Sequence, residues 1–377
     1  MKKIILSAAA ALVVIVGTTL LLLSYYQDEV PLDTTDEASE TVFGEDAASA
    51  EIIEEAELFE LSINIHNHFL GKYESVAEYE LAIESMFDQM DLFDIDQIVL
   101  MPQPYPDEER YQTDIDMLAE AVSNYSDRLS FFAGGESLNK MLQAQSGVSS
   151  VSRVDLDEFE DRARYLMALG AKGFGEMTAL HFSLGEGHPF EEVAPDHQLL
   201  LLLADLAAEY DVPLDLHMEA VTQDMAFPES ERITSNENPA TLNENIKAFT
   251  RLLNHNKDTK IIWEHAGWDN SGKRTPELMG KLLSNYDNLF MSIKIGPDSV
   301  DKTRPMDRDG ELRSEWLDLF EEFPDRFLIG SDQFYSVPGS NLEIPKRNEG
   351  TEDLLSLLPA DLVYQFNVIN PSVLLSN

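Results

Sequence analysis

Leu61-Ser62-Ile63-Asn64-Ile65-His66-Asn67-His68 is an apolar run that ends in two histidines one residue apart. Side chains two apart on a β-strand project from the same face, so both imidazoles belong at the C-terminal end of one strand, side by side. Two neutral imidazoles held in parallel make half of a divalent-metal site. Three later apolar runs also end in a metal-ligand residue: Pro213-Leu214-Asp215-Leu216-His217, Ile261-Ile262-Trp263-Glu264-His265 and Phe327-Leu328-Ile329-Gly330-Ser331-Asp332. One such run carries little weight, because a lone strand histidine is usually a hydrogen-bonded structural residue. Four, each with the ligand at the same end, form a pattern.

Outward from these runs, the chain alternates between strand-like and helix-like segments. The expected strands are 62–66, 97–101, 129–133, 171–176, 213–217, 260–265, 289–295 and 327–331. Helical periodicity covers 76–93, 115–125, 156–169, 198–210, 242–254, 276–286 and 315–322. Short, continuous apolar strands suit a parallel sheet buried on both faces. Eight of them alternating with helices predict an α/β fold, a (β/α)8 TIM barrel over 61–377. No Gly-rich dinucleotide fingerprint follows any strand, which counts against an open doubly wound sheet.

In such a barrel the C-terminal strand ends converge on one face, where His66, His68, His217, His265 and Asp332 would meet. A metal needs that convergence, because its ligands must sit on rigid elements about 2.0–2.2 Å from the ion. The fourth strand offers Lys172 and Glu176, which share a parity and could both face the interior. Glu176 lies nearer the C-terminal end and is the preferred bridge between two cations. Lys172 lies lower and would require carbamylation.

As a set, these motifs resemble the amidohydrolase superfamily, in its amidohydrolase-related branch. The resemblance spans nearly the whole body, from Asn64 to about Leu375. It rests on Asn64-Ile65-His66-Asn67-His68, on His217, on the His265-Ala266-Gly267 turn, on Gly330-Ser331-Asp332 and on Asn367-Val368-Ile369-Asn370-Pro371. Family members commonly carry Asp where this chain has Asn64. The resemblance implies that His66, His68 and Asp332 hold one metal and His217 and His265 a second, bridged by Glu176. It leaves one ion or two open, with zinc first and Mn, Fe or Co also suited to a His/carboxylate site. It further implies an activated water that cleaves an amide, lactone or other ester bond of a small molecule, with Asp332 as the proton carrier. His265 would assist if a single metal binds. A non-oxidative decarboxylase of the same fold is the alternative, and a non-catalytic binding barrel is more distant. Trp268, Lys294 and Tyr335 are candidates for holding substrate, and the polar segment 222–241 is a candidate lid. His181, His188 and His197 form a loop-like cluster that could border the pocket.

The composition narrows the partners. The 377-residue chain has a formal net charge of -44, from 70 acidic and 26 basic residues. Nucleic acid and anionic membrane surfaces would be repelled. Such acidity is also a way to remain soluble in salt, and a saline environment is hypothesised. Cys is absent, which excludes disulfides, thiolate ligands and a Cys nucleophile. After Met1-Lys2-Lys3 an uncharged apolar run reaches about Tyr26, long enough to span a bilayer. With no small-residue cleavage site at its end, 1–27 reads as a membrane anchor in preference to a removed signal. Residues 28–60 carry thirteen acids and no Lys or Arg, and read as an extended acidic linker. Either reading of the N-terminus places the body outside the cytoplasm.

Overall fold

The computed structural model describes residues 61–104, 115–185, 188–229, 233, 235–296 and 299–376. The expected anchor (1–27) and acidic linker (28–60) lie outside the described residues. No helix among the described residues is long and apolar enough to cross a membrane.

The strands, in chain order, are β1 (Ile63–Phe69), β2 (Gln97–Leu100), β3 (Leu129–Phe131), β4 (Ala133–Gly134), β5 (Phe174–His181), β6 (Glu191–Glu192), β7 (Leu214–Met218), β8 (Met225–Ala226), β9 (Thr241–Leu242), β10 (Ile261–Ala266), β11 (Leu289–Ile293), β12 (Phe327–Ile329) and β13 (Gln333–Tyr335). One parallel path runs β13-β1-β2-β3 and another β12-β11-β10-β7-β5-β4. The two paths join at both ends. Phe132, between β3 and β4, donates its N–H to Leu100 O (2.9 Å), and Ala133 donates to Gly173 O (3.0 Å). Between β12 and β13, Gly330 donates to Ile293 O (3.2 Å) and Asp332 to His66 O (2.9 Å). The third and eighth expected strands are each interrupted at these junctions, and the parallel α/β sheet closes into a barrel. The short pairs β5–β6 and β8–β9 are antiparallel and lie outside the ring.

Helices cover the outside. Those labelled α1 (Val76–Leu92), α2 (Ile115–Ser123), α3 (Leu138–Ala144), α4 (Arg153–Ala168), α5 (Gln198–Tyr210), α6 (Ile246–His255), α7 (Pro276–Leu283) and α8 (Ser314–Glu322) alternate with the strands. Several begin on side-chain caps: Ser75, Ser152 and Thr275 accept from the N–H groups of Glu78, Asp155 and Leu278. Each cap satisfies a donor that the first turn leaves open. Strand residues such as Ile98, Leu100, Leu214, Leu216, Trp263 and Met291 face outward into the helix-covered core. The opposite parity fills the barrel floor with Ile63, Ile65, Val99, Phe132, Ile262 and Leu328. Leu374, on the C-terminal helix Asn370–Leu375, packs into that floor. Asn370 holds this helix in place by donating to Pro324 O and Phe327 O (2.8 and 2.7 Å).

Three expectations are corrected. Strand four starts at Phe174, not at residue 171, and Lys172 is exposed before it. Gly175 faces the barrel interior so closely that a Cβ there would sit 2.8 Å from Asp215 Cβ. Glu176, the next residue, enters the same interior because the β5–β7 register shifts between Phe174 and Met177. The shared parity of Lys172 and Glu176 is therefore broken by a bulge-like irregularity. Helix α6 begins at Ile246, since Thr241 and Leu242 are taken by pairing with Met225 and Ala226. That pairing ties down the base of the 222–241 segment. Asn238 fixes it further, accepting from Ser183 N–H and donating to Ser183 O at the end of β5 (2.9 and 2.7 Å).

Candidate metal centre

Ile65 belongs to the apolar floor, yet His66 beside it also faces the interior. Regular alternation forbids this, and a register shift between Asn64 and Asn67 in the β1–β2 pairing provides it. His66 and His68 then bring their Nε2 atoms to 3.0 Å from each other. His68 Nδ1 donates to Met101 O at 2.8 Å, which leaves Nε2 as the free lone pair. His66 Nδ1 lies 3.2 Å from Asp215 Oδ1, the carboxylate–histidine pairing that orients metal ligands. Asn64 docks strand one onto strand eight: its Nδ2 donates to Ser331 Oγ (2.6 Å) and its Oδ1 accepts from Ser331 N–H (3.1 Å). An ionised Asp in its place would accept from the Ser331 hydroxyl, so the direction of this bond is what the Asn changes. Gly330 permits this approach, because a Cβ there would meet Ser292 Cβ at 2.7 Å and His66 Cβ at 3.0 Å.

Glu176 stands at the centre. Its Oε2 is 3.3 Å from His68 Nε2 and 3.7 Å from His66 Nε2. Its Oε1 accepts from His217 Nδ1 at 2.7 Å and is 3.7 Å from His265 Nε2. Asp332 Oδ1 lies 3.2 Å from His68 Nε2 and 4.0 Å from His66 Nε2. His265 and Asp332 adopt left-handed backbone angles, φ 64° and 56°. That region is unfavourable for a residue with a Cβ, and both side chains turn inward from a strand end there. All six expected ligands, His66, His68, Glu176, His217, His265 and Asp332, are thus buried at one end of the barrel. Two donor groups, His66/His68/Asp332 and His66/Glu176/Glu264/His265, each have their ligand atoms within 4.8 Å of one another.

The electrostatics match a cation site. Burial pushes Glu176 up, but the four imidazoles outweigh it and hold its carboxylate well below the usual range. Burial lowers His68, His217 and His265, favouring the neutral imidazoles that metals bind. His66 differs: burial pushes it down, while Asp215 and Glu176 raise it to about 9. Without a cation, that added proton relieves the two facing Nε2 atoms and the surrounding carboxylates. The residues present therefore fit a divalent metal, which would take the same place.

Of the substrate candidates, Lys294 and Trp268 are at the cluster. Lys294 Nζ is 2.5 Å from Asp332 Oδ2 and 3.7 Å from the Trp268 ring centre. Burial, with Arg347 nearby, pushes this ammonium well below its ordinary range. The structure does not bring Tyr335 there; it packs in the helix-covered core, with its hydroxyl on Asn348. His181 and His188 extend the site. Their rings are 4.5 Å apart and His181 lies 4.6 Å from His217. His197 is elsewhere, capping α5 through Leu199 N–H. A cleft of about 530 Å³ opens beside the cluster, lined by Gly267, Ile295, Gly296 and Lys346 among others. A small space of about 10 Å³ lies directly against His217, Glu264, His265 and Trp268.

Three residues at the site escaped the sequence reading. Asp215 was findable, since it shares a face with His217 two residues later. Glu264 was not, because its neighbour His265 reaches the same interior only through the left-handed turn. Arg347, which forms an ion pair with Asp332 Oδ2, comes from the helix Arg347–Leu357, beyond any strand end.

No family model matches the chain, and no curated protein matches it in sequence. Solved structures do match. An organophosphorus hydrolase from Deinococcus radiodurans aligns with TM-score 0.52 and 15% identity, over 85% of this chain and 93% of that one. A PTE-like lactonase variant from Deinococcus radiodurans aligns with TM-score 0.51 and 13% identity, over 85% and 96%. A chain described as organophosphate hydrolysis activity engineered from a promiscuous lactonase template gives TM-score 0.51 and 13% identity, again over 85% and 96%. At such identities the likeness is one of fold.

Proposed function

We propose that this protein is a metal-dependent hydrolase that cleaves an amide, lactone or other ester bond of a small molecule. The observation that carries this reading is Glu176, buried in contact with imidazoles from strands β1, β7 and β10 and flanked by Asp332. His66, His68 and Asp332 would hold one cation, zinc first, and His217 with His265 a second, with Glu176 facing both. Bound there, such ions acidify a water molecule and polarise the oxygen of the scissile group. Asp332 points Oδ1 at His68 and gives Oδ2 to Lys294 and Arg347, which fix its orientation. From that position Asp332 takes the proton of the attacking water and returns it to the leaving group. Lys294 and Trp268 border the space next to it and would set the pose of the substrate. The hydrolases and lactonase of the same fold support a hydrolytic outcome. The apolar run near the N-terminus supports display of the domain at a membrane, outside the cytoplasm.

Asp332→Asn tests the mechanism on a panel of lactones, amides and esters. The variant keeps most of its metal and loses turnover by at least about 100-fold, as a general base does. Near-normal turnover removes Asp332 from proton transfer.

A further inference from the structure

Glu264, like Asp215, is a carboxyl at the site with a fully covered side chain. Among the described residues no N–H or hydroxyl donor reaches either oxygen. Burial, with the Asp215 and Glu176 carboxylates against it, pushes the carboxyl well above its usual range. Arg274 lies close, but its guanidinium donates to the backbone carbonyls of Trp263 and Glu264 and not to this carboxylate. A buried carboxylate without a donor is costly, by several kcal/mol or more. Only a cation or a proton removes that cost. The two carboxylates beside it suit the proton, and two imidazole nitrogens within liganding separation suit the cation. Glu264 Oε2 is 3.3 Å from His265 Nε2 and 3.6 Å from His217 Nδ1. Glu176 Oε1 faces the same two nitrogens at 3.7 and 2.7 Å. A tetrahedron with metal–ligand bonds near 2.1 Å has edges of about 3.4 Å, and these four separations bracket that length.

We propose that Glu264 is itself a ligand of the second cation, sharing it with Glu176, His217 and His265. This rests on the metal-dependent reading above. The added carboxylate gives that position two oxygen donors beside two nitrogens. It thereby shifts the preference toward harder divalent cations such as Mn, relative to a site built mainly of imidazoles. The first position, His66 and His68 with Asp332 and Glu176, already has two oxygen donors beside two nitrogens, so Glu264 makes the two positions alike.

The test is calorimetric titration of the metal-stripped full chain with ZnCl2 and with MnCl2, followed by elemental analysis after dialysis. Wild-type protein binds two equivalents. Glu264→Gln, which keeps the shape and removes the charge, retains the first equivalent. It binds the second more than about 100-fold weaker, beyond the 10–100-fold typical of an outer partner. The melting temperature adds a second readout. Loss of an unpaired buried charge leaves the metal-free variant at least as stable as wild type, while the metal-induced rise shrinks. If the amide disturbs packing, Glu264→Met fills the space without a donor oxygen and shows the same selective loss. Two equivalents at unchanged affinity in both variants overturn the proposal and make Glu264 a neutral acid beneath the site. Wild-type protein that binds no metal overturns the metal-dependent reading itself, a different outcome from selective loss in the variants.

Discussion

The floor and the mouth of the barrel are built from the same strands by opposite rules. On the floor, alternation is regular and Ile63, Ile65, Val99, Phe132, Ile262 and Leu328 interdigitate without a polar atom among their side chains. At the mouth, alternation fails at the residues that matter. Register shifts accompany His66 in β1, Glu176 in β5 and His265 in β10, and left-handed angles turn His265 and Asp332 inward. The floor supplies packing energy, and the mouth uses irregular backbone to gather charges that repel one another. The difference teaches where stability and chemistry separate on one scaffold.

Substitution on the floor gives the largest expected effect on folding. Phe132→Ala removes a fully buried ring and costs about 3–5 kcal/mol of stability. Measured by denaturant titration, that loss should leave metal affinity per folded molecule nearly unchanged. A parallel fall in metal affinity would show that floor and mouth are not separable.

A smaller effect contrasts two buried carboxyls. Glu176 is held ionised by imidazoles, whereas Glu191 in β6 has an amide, Asn139, as its hydrogen-bonding partner (3.1 Å). Burial pushes Glu191 up to about 8 from its usual 4.5. A carboxyl raised on folding binds its proton more tightly in the native state. Its contribution is therefore complete below about pH 4.5 and falls as pH rises toward 8. Between pH 5 and 7 this is worth about 2–3 kcal/mol. Glu191→Gln should flatten that part of the stability–pH curve, read from melting temperatures in a pH series of metal-stripped protein. An unchanged slope would mean that Glu191 titrates as an exposed carboxyl does.

The smallest effect sharpens the mouth itself. Asp215→Asn keeps the volume beneath His66 and removes the charge that orients the ring. Affinity for the first cation should drop about 10–100-fold, measured by competition with a chelator, with little change in fold stability. No change would reduce Asp215 to a filler of the space above Gly175.

Much of this contrast was legible in the sequence. Hydrophobic runs marked the strands, and the ligand type at the end of each run marked the face, because strand ends converge in a barrel whatever their separation in the chain. His66 and His68 followed from a period of two and meet as that period requires. What period two cannot express is a bulge. Hence Lys172 shares a parity with Glu176 yet lies outside the strand, and Glu264 abuts His265 with no period-two pattern to mark it. Tyr335 was placed near the substrate because it follows Asp332 by three residues. The chain resumes β pairing at Gln333, and Tyr335 packs into the core instead. Arg347 reaches Asp332 from a helix that no local pattern connects to the site.

The central claim is that the mouth is a metal centre. Elemental analysis of the full chain, purified without chelator and reconstituted with Zn or Mn, tests it most directly. The account predicts two equivalents per chain, lost together with hydrolytic activity on chelation. A chain that stays metal-free after reconstitution would contradict it.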